Sequence, residues 1–145
     1  MTRTTITHLI DAPVEQVFTT VADISQYSQA VPHITKIEYL SDQKTGVGTR
    51  FRETRLMKGK EAVTELEVTE YIENDRVRLV SDSHGTVWDT VFTVRPDSGQ
   101  TTLTMVMDAK AYQLLPKLIN PFIKGMIKKA IMQDMNAVKT YCEQA

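Results

Sequence analysis

An α+β fold, in which an antiparallel sheet of about seven strands curves around one long C-terminal helix, follows from three observations. Residues Gln113 to Ala145 carry Leu114, Leu115, Leu118, Ile119, Phe122, Ile123, Met126, Ile127, Ala130, Ile131, Met135 and Val138, and apolar residues spaced by three and four describe a helix. Most of the preceding chain alternates with the two-residue period of strands, which sends successive side chains to opposite faces. The turns between those strands are too short for crossover connections, so neighbours pair antiparallel.

The first element is a strand from Thr2 to Ile10, with Ile6, His8 and Ile10 on one face and Thr5, Thr7 and Leu9 on the other. Asp11-Ala12-Pro13 interrupts it, Pro13 suits the first position of a helix, and Glu15 complements the dipole of the first turn. Val14, Val17, Phe18, Val21 and Ile24 form a core-facing helical stripe, and Asp23 and Ser25 offer caps for a second short helix through Tyr27. Val31-Pro32 then forces extension.

Strands follow at Ile34 to Leu40, Thr49 to Met57, Glu61 to Ile72, Val77 to Ser83, Thr86 to Val94 and Thr101 to Ala109. They are separated by Ser41 to Gly46, Lys58-Gly59-Lys60, Glu73-Asn74-Asp75, His84-Gly85 and Pro96-Asp97-Ser98-Gly99, all rich in turn formers. Leu66 and Val68 oppose Glu65 and Glu67; Val77, Leu79 and Ser81 oppose Arg76 and Arg78. Trp88, Thr90, Phe92 and Val94 oppose Asp89 and Thr93; Leu103, Met105, Met107 and Ala109 oppose Thr104 and Asp108. One sheet face is therefore wet, and the other needs the helices as cover.

In the C-terminal segment, Leu115, Leu118, Phe122 and Met126 fall on a different side from Ile127, Ile131 and Val138 at about 100° per residue. A straight helix would need two apolar faces, so the spacing predicts that the main helix starts at Asn120-Pro121, a good cap followed by a good first residue. Gln113 to Ile119 becomes a separate turn or kinked segment at a cavity mouth. Asp134 sits within the apolar stripe: buried, it needs an arginine or tyrosine partner from the sheet. A slight rotation of the stripe, which leaves Asp134 exposed, is the favoured reading.

Composition narrows the function classes. At 145 residues the chain suits one domain, 1–145, and is too short for two. Lys plus Arg number 17 against 18 Asp plus Glu, a net charge of −1, so no nucleic-acid partner is expected. The only cysteine, Cys142, excludes an internal disulfide. No apolar run approaches the roughly 20 residues that span a bilayer, and the N-terminus lacks the apolar core of a secretory signal. A cytoplasmic location is the expectation, and nothing in the sequence marks an oligomeric state.

The order strand, two short helices, six antiparallel strands and a long helix resembles the helix-grip fold of the START-like (SRPBCC) superfamily. Ile10-Asp11-Ala12-Pro13-Val14-Glu15-Gln16-Val17-Phe18, with Asp23, Tyr27-Ser28 and Val31-Pro32-His33-Ile34, is similar to the opening of its polyketide cyclase/dehydrase and lipid transport branch. Gly48-Thr49-Arg50-Phe51-Arg52-Glu53 and Val68-Thr69-Glu70-Tyr71 resemble that branch's middle strands. Val17-Phe18, Ala22-Asp23 and Tyr27 also resemble coenzyme Q binding proteins, whose ligand is a hydrophobic quinone. The resemblance implies a deep, mainly apolar cavity between sheet and helix, and no catalytic motif. The superfamily hosts carriers, receptors, cyclases and chaperone activators, so fold alone does not name a function.

Inward-facing positions nominate the ligand-binding residues: Phe51, Glu53, Arg55, Leu66, Leu79, Trp88, Thr90, Phe92, Met105 and Met107 on strands, and Phe122, Met126 and Ala130 on the helix. Phe51 and Met57 select the odd-numbered face of their strand as inward, which carries Glu53 and Arg55 inward as well. Buried charges are costly unless paired. The two therefore meet each other, a neighbouring strand or a polar ligand head, unless a bulge or rim position leaves both in solvent, the reading given more weight. They are the only catalytic candidates. Thr90 and Ser81 are milder polar groups, expected to be satisfied hydroxyls.

His8, His33 and His84 are scattered without carboxylates or cysteines at ligand spacing, so no metal is expected, and each is read as a surface or locally bonded histidine. The sequence has no nucleophile elbow, phosphate loop or dinucleotide fingerprint, so no cofactor is expected. Cys142 reads as a small packing residue. The methionines suit either a pocket for an irregular apolar ligand or ordinary core filling. Lys117, Lys124, Lys128 and Lys129 read first as a solvated helix face, and secondarily as a site of transient contact with anionic lipid.

The leading expectation is a non-catalytic protein that binds or carries a hydrophobic small molecule, lipid-like, quinone or polycyclic. A polyketide cyclase/dehydrase using the same cavity is the alternative, and a membrane or protein interaction module a further one.

Overall fold

The computed structural model describes residues 1–145, less the side chains of Pro121 and Phe122. Phe122, one of the expected ligand contacts, thus lies outside the described residues. The chain forms β1 (Thr2–Ile10), α1 (Val14–Ala22), α2 (Ile24–Ala30), β2 (Ile34–Tyr39), β3 (Arg50–Met57), β4 (Lys60–Ile72), β5 (Arg76–Ser83), β6 (Thr86–Asp97), β7 (Gln100–Ala111) and α3 (Leu114–Gln144). All seven strands join one antiparallel sheet in the order β1-β7-β6-β5-β4-β3-β2. This is the helix-grip architecture expected from the sequence.

Local chemistry explains the hairpins. Lys58-Gly59, His84-Gly85 and Ser98-Gly99 place both residues at positive φ, as in the tight turns whose twist matches that of paired strands. Register shifts between Ile34 and Lys36 and between Val68 and Glu70 mark irregularities in the ladder, and such bulges bend the strands that carry them. Strands β6 and β7 run past their expected ends, to Asp97 and Ala111, because Asp97 still pairs with Gln100 across the Ser98-Gly99 turn and Ala111 with Thr86 at the other end of the ladder. Pro13 precedes the first helical residue of α1 instead of occupying it, and Asp23 caps α2 by accepting from the Ser25 backbone N–H at 2.9 Å.

The two faces of the sheet differ as the alternation requires. The outer face carries cross-strand ion pairs: Arg52 with Glu38 and Glu65, Arg78 with Glu70 and Asp89, and Arg3 with Asp108. On the inner face Ile6, Ile10, Val77, Phe92, Val94, Leu103 and Met105 are buried beneath the helices. Val17, Phe18, Val21 and Tyr27 come down from α1 and α2, and Ile131, Met135, Val138 and Cys142 from the last turns of α3. Phe18 meets Tyr71, and Tyr27 meets Phe92, in edge-to-face contacts with centroids 5.3 and 5.9 Å apart.

The expected break at Asn120 is absent: α3 runs continuously from Leu114 to Gln144. Asn120 caps nothing. Its Nδ2 donates to Thr86 Oγ1 at 3.0 Å, in a buried bond that ties the helix to β6. The two apolar stripes that suggested a kink are reconciled differently. The C-terminal stripe packs into the core, whereas Leu114, Leu115, Leu118 and Ile119 remain exposed at the other end. Asp134 also departs from the reading that left it in solvent, since it is buried, 6% exposed.

Candidate functional site

Strands β3 to β7 and α3 enclose a cavity of about 640 Å³, completed by Val21, Ala22, Ile24 and Tyr27 of the short helices. Its floor is the inner sheet face: Phe51, Leu66, Val68, Leu79, Trp88, Thr90, Phe92, Met105 and Met107 all line it, because alternation puts every second residue of β3 to β7 on that face. Ile127, Ala130, Ile131 and Asp134 form the α3 wall. Exposed residues among the lining, Met57, His84, Leu115 and Ile119, mark a mouth between the β3–β4 and β5–β6 turns and the first turns of α3. Met126 does not line the cavity. It is 68% exposed, one helical face away from Ile127 and Ala130, so its expected ligand contact is corrected.

Glu53 and Arg55 face inward, as the odd-numbered register of β3 predicts, and the solvent-exposed alternative is overturned. Glu53 is 7% exposed, Arg55 is half-buried, and both line the cavity. Arg55 Nε donates to Glu53 Oε1 at 2.5 Å, and its Nη1 donates to Asp134 Oδ2 at 2.8 Å. A residue on the sheet and one on α3 thus close a single ionic cluster through the guanidinium. The need for an arginine or tyrosine partner was legible once Asp134 is buried, and the meeting of Glu53 with Arg55 was one of the expected outcomes; what the spacing did not reveal was that Asp134 would share that same arginine.

The electrostatics follow from burial and pairing. Burial pushes the Asp134 carboxyl above its ordinary value, only partly offset by Arg55. Burial opposes the charge on Arg55, but the carboxylates of Glu53 and Asp134 outweigh it and hold the guanidinium protonated. Tyr27 on α2 belongs to the same corner. Its buried phenol is raised by desolvation and by the Asp134 charge, and stays protonated. In the sequence Tyr27 stands out only as the end of a short helix and as part of the family resemblance. Its place on the buried side of a short capped helix was the available signal.

Ser81 lines the cavity from β5 and is 4% exposed, but its Oγ has no hydrogen-bond partner among the described residues. The expectation of a satisfied hydroxyl is therefore corrected. Across the neighbouring hairpin Thr86 accepts from Asn120, and both line the same wall. Among the described residues no group of three His, Cys, Asp or Glu is placed to hold a metal ion. His8 departs from its reading as a surface or locally bonded residue, since its Nε2 is buried with no partner among the described residues. Cys142 is a packing residue: its thiol is buried, pushed up by desolvation, and lies 3.5 Å from Thr20 Oγ1. Among the described residues no helix is long and apolar enough to cross a membrane.

This arrangement can enclose an apolar molecule and offer it one charged corner and one free hydroxyl. The sequence pattern of the family described as polyketide cyclase / dehydrase and lipid transport matches residues 1–143. Comparison with the curated proteins finds no match. Among solved structures, a START superfamily protein from Mycobacterium smegmatis superposes with a TM-score of 0.79 at 20% identity, covering 98% of this chain and 97% of that one. A protein from Thermus thermophilus gives 0.77 at 15% identity, covering 96% and 95%. The di-domain ARO/CYC BexL from the BE-7585A biosynthetic pathway gives 0.79 at 16% identity, covering 98% of this chain and 50% of its own. At these identities the likenesses establish a shared fold.

Proposed function

Because the chain belongs to the polyketide cyclase/dehydrase and lipid transport family, and its sheet and long helix surround a mainly apolar cavity, we propose that it binds and carries a hydrophobic small molecule. The ligand is lipid-like, quinone or polycyclic, and occupies the space between Phe51, Leu79, Trp88, Met107 and Ala130. The observation that carries this reading is the cavity itself. Its volume of about 640 Å³ lies within the roughly 300–1,000 Å³ of small-molecule sites. Burial of apolar ligand surface supplies the affinity, at about 25 cal/mol per Å² before ordering costs. The exposed Leu114, Leu115, Leu118 and Ile119, with Lys117, Lys124 and Lys128 nearby on the same helix, support transient contact with an anionic membrane during loading.

Protein purified from its own host, measured by native mass spectrometry and then extracted with organic solvent, should release a discrete apolar molecule. Protein that emerges at its bare mass and takes up no neutral apolar probe would sink the carrier reading.

One observation favours a second reading, that of a cyclase or dehydrase. Glu53 and Asp134 both line the cavity and meet at Arg55, and a pair of carboxylates facing a substrate is the kind of group that moves protons. Against this, Arg55 already answers two carboxylates and has little charge to spare for a developing enolate. Turnover of a candidate polyketide that survives Glu53→Gln unchanged would exclude Glu53 from the chemistry.

A further inference from the structure

The polar corner of the cavity is unbalanced in charge. Glu53 and Asp134 are both buried, both line the cavity, and share one guanidinium. The bonds from Arg55 use Oε1 of Glu53 and Oδ2 of Asp134. Oε2 and Oδ1 are left as acceptors, and the formal charge of the trio is −1. The other groups at this corner do not correct it: Tyr27 is a protonated phenol, and His33, whose charge Asp134 feels, is exposed. Lys44 and His84, the remaining basic residues on the cavity lining, are exposed as well, and Lys44 lies over the Tyr39 ring.

Ser81 is an independent feature of the same cavity. Its buried hydroxyl faces the interior without a partner among the described residues. It stands on β5, two strands from β3, which carries Glu53, a separation of about 10 Å across the sheet at the usual strand spacing. A buried polar group normally finds a hydrogen bond, and here the cavity contents are what can supply it. An apolar chamber with surplus acceptors at one point and an open hydroxyl at another selects the head group of what it holds.

We propose that the cavity ligand is an apolar molecule bearing a hydrogen-bond donor without negative charge, a hydroxyl or protonated amine directed at Glu53 and Asp134, with a second polar group that reaches Ser81. Carboxylates and phosphates are excluded, because an anion brought to this corner meets like charge in a medium that screens it poorly. The inference rests on the carrier reading and specifies the chemistry of its ligand.

The test is displacement of the neutral fluorophore N-phenyl-1-naphthylamine by decylamine, 1-decanol and decanoate, kept below micelle-forming concentrations at fixed pH and ionic strength. The amine and the alcohol should each displace it at least about tenfold more effectively than the carboxylate, equivalent to about 1.4 kcal/mol. In Asp134→Asn, which leaves Arg55 balanced by Glu53 alone, the handicap of decanoate should fall below about threefold. Glu53→Gln provides the same charge change, should either variant fold poorly by thermal melting. Ser81→Ala should weaken 1,10-decanediol and leave 1-decanol unchanged. Equal displacement by all three head groups in the parent protein would overturn the proposal while leaving the carrier reading intact. A handicap for decanoate that persists in both charge variants would overturn it equally. Failure of the fluorophore and 1-decanol to bind at all would overturn the carrier reading, and the proposal with it.

Discussion

Arg55 shows how much can depend on one side chain. Its guanidinium bonds Glu53 within β3 and Asp134 across the cavity, and its removal would leave two carboxylates buried without a cation. Arg55→Met should therefore cost about 3–5 kcal/mol in denaturant unfolding, the usual penalty for breaking a buried ionic cluster from one side. A loss below about 1 kcal/mol would mean that water already reaches the cluster. Asp134 carries a distinct pH signature. Its folded-state carboxyl is raised above the ordinary value by burial, so the native state holds the proton more tightly than the unfolded chain. The contribution of Asp134 to stability is then fully present below the ordinary carboxylate value and is lost as pH rises through the raised one. The melting temperature of the parent relative to Asp134→Asn should fall as pH goes from about 4 to about 7, and a difference that grows over that interval would contradict the assigned direction. The inward register of Glu53 and Arg55 was legible because Phe51 declares the face of its strand. The burial of Asp134 was not, because one polar residue within a helical stripe fits equally well with a small rotation of the helix.

Elements meet at the β5–β6 turn, where the mouth of the cavity is built. Gly85 has φ +80, and its carbonyl accepts from the Tyr112 backbone N–H at 2.9 Å, just before α3 begins. A Cβ added there would lie 2.6 Å from Gln113 Oε1. Gly59 has a similar φ of +77 but open space around it. Gly85→Ala should therefore destabilise the protein more than Gly59→Ala, the strain of the backbone alone being about 1–3 kcal/mol, and should also speed release of a bound probe by loosening the start of α3. Equal melting temperatures and release rates for the two variants would show that the turn and the helix are uncoupled. The turns themselves were readable, since a residue followed by glycine between alternating runs has few other uses. The continuity of α3 was not, because Asn120-Pro121 carries the local signal of a helix start, whereas Asn120 answers to Thr86, a residue 34 positions away.

At the scale of the molecule, one helix serves two purposes: Met135, Val138 and Cys142 are nearly inaccessible, whereas Leu114, Leu115 and Leu118 are mostly exposed. The core thus sits at one end of the sheet and the cavity toward the other. Ala130→Phe probes that division, because Ala130 lines the cavity on α3. In an open chamber the larger ring should reduce apolar probe binding at least tenfold at little cost in stability. In a filled core the same change should cost about 1–3 kcal/mol through overpacking. By itself the sequence determined the α+β class, about seven strands, the hairpins and the wet and dry sheet faces, since each of these is written in local periodicity and turn chemistry. Only the tertiary structure decided that α3 runs unbroken, that Met126 looks outward, that Asp134 is buried, and that Glu53 and Asp134 share Arg55 while Ser81 is left without a partner. Those outcomes depend on which side of a helix meets the sheet and how far the sheet curves away beneath it, and spacing along the chain does not encode either distance.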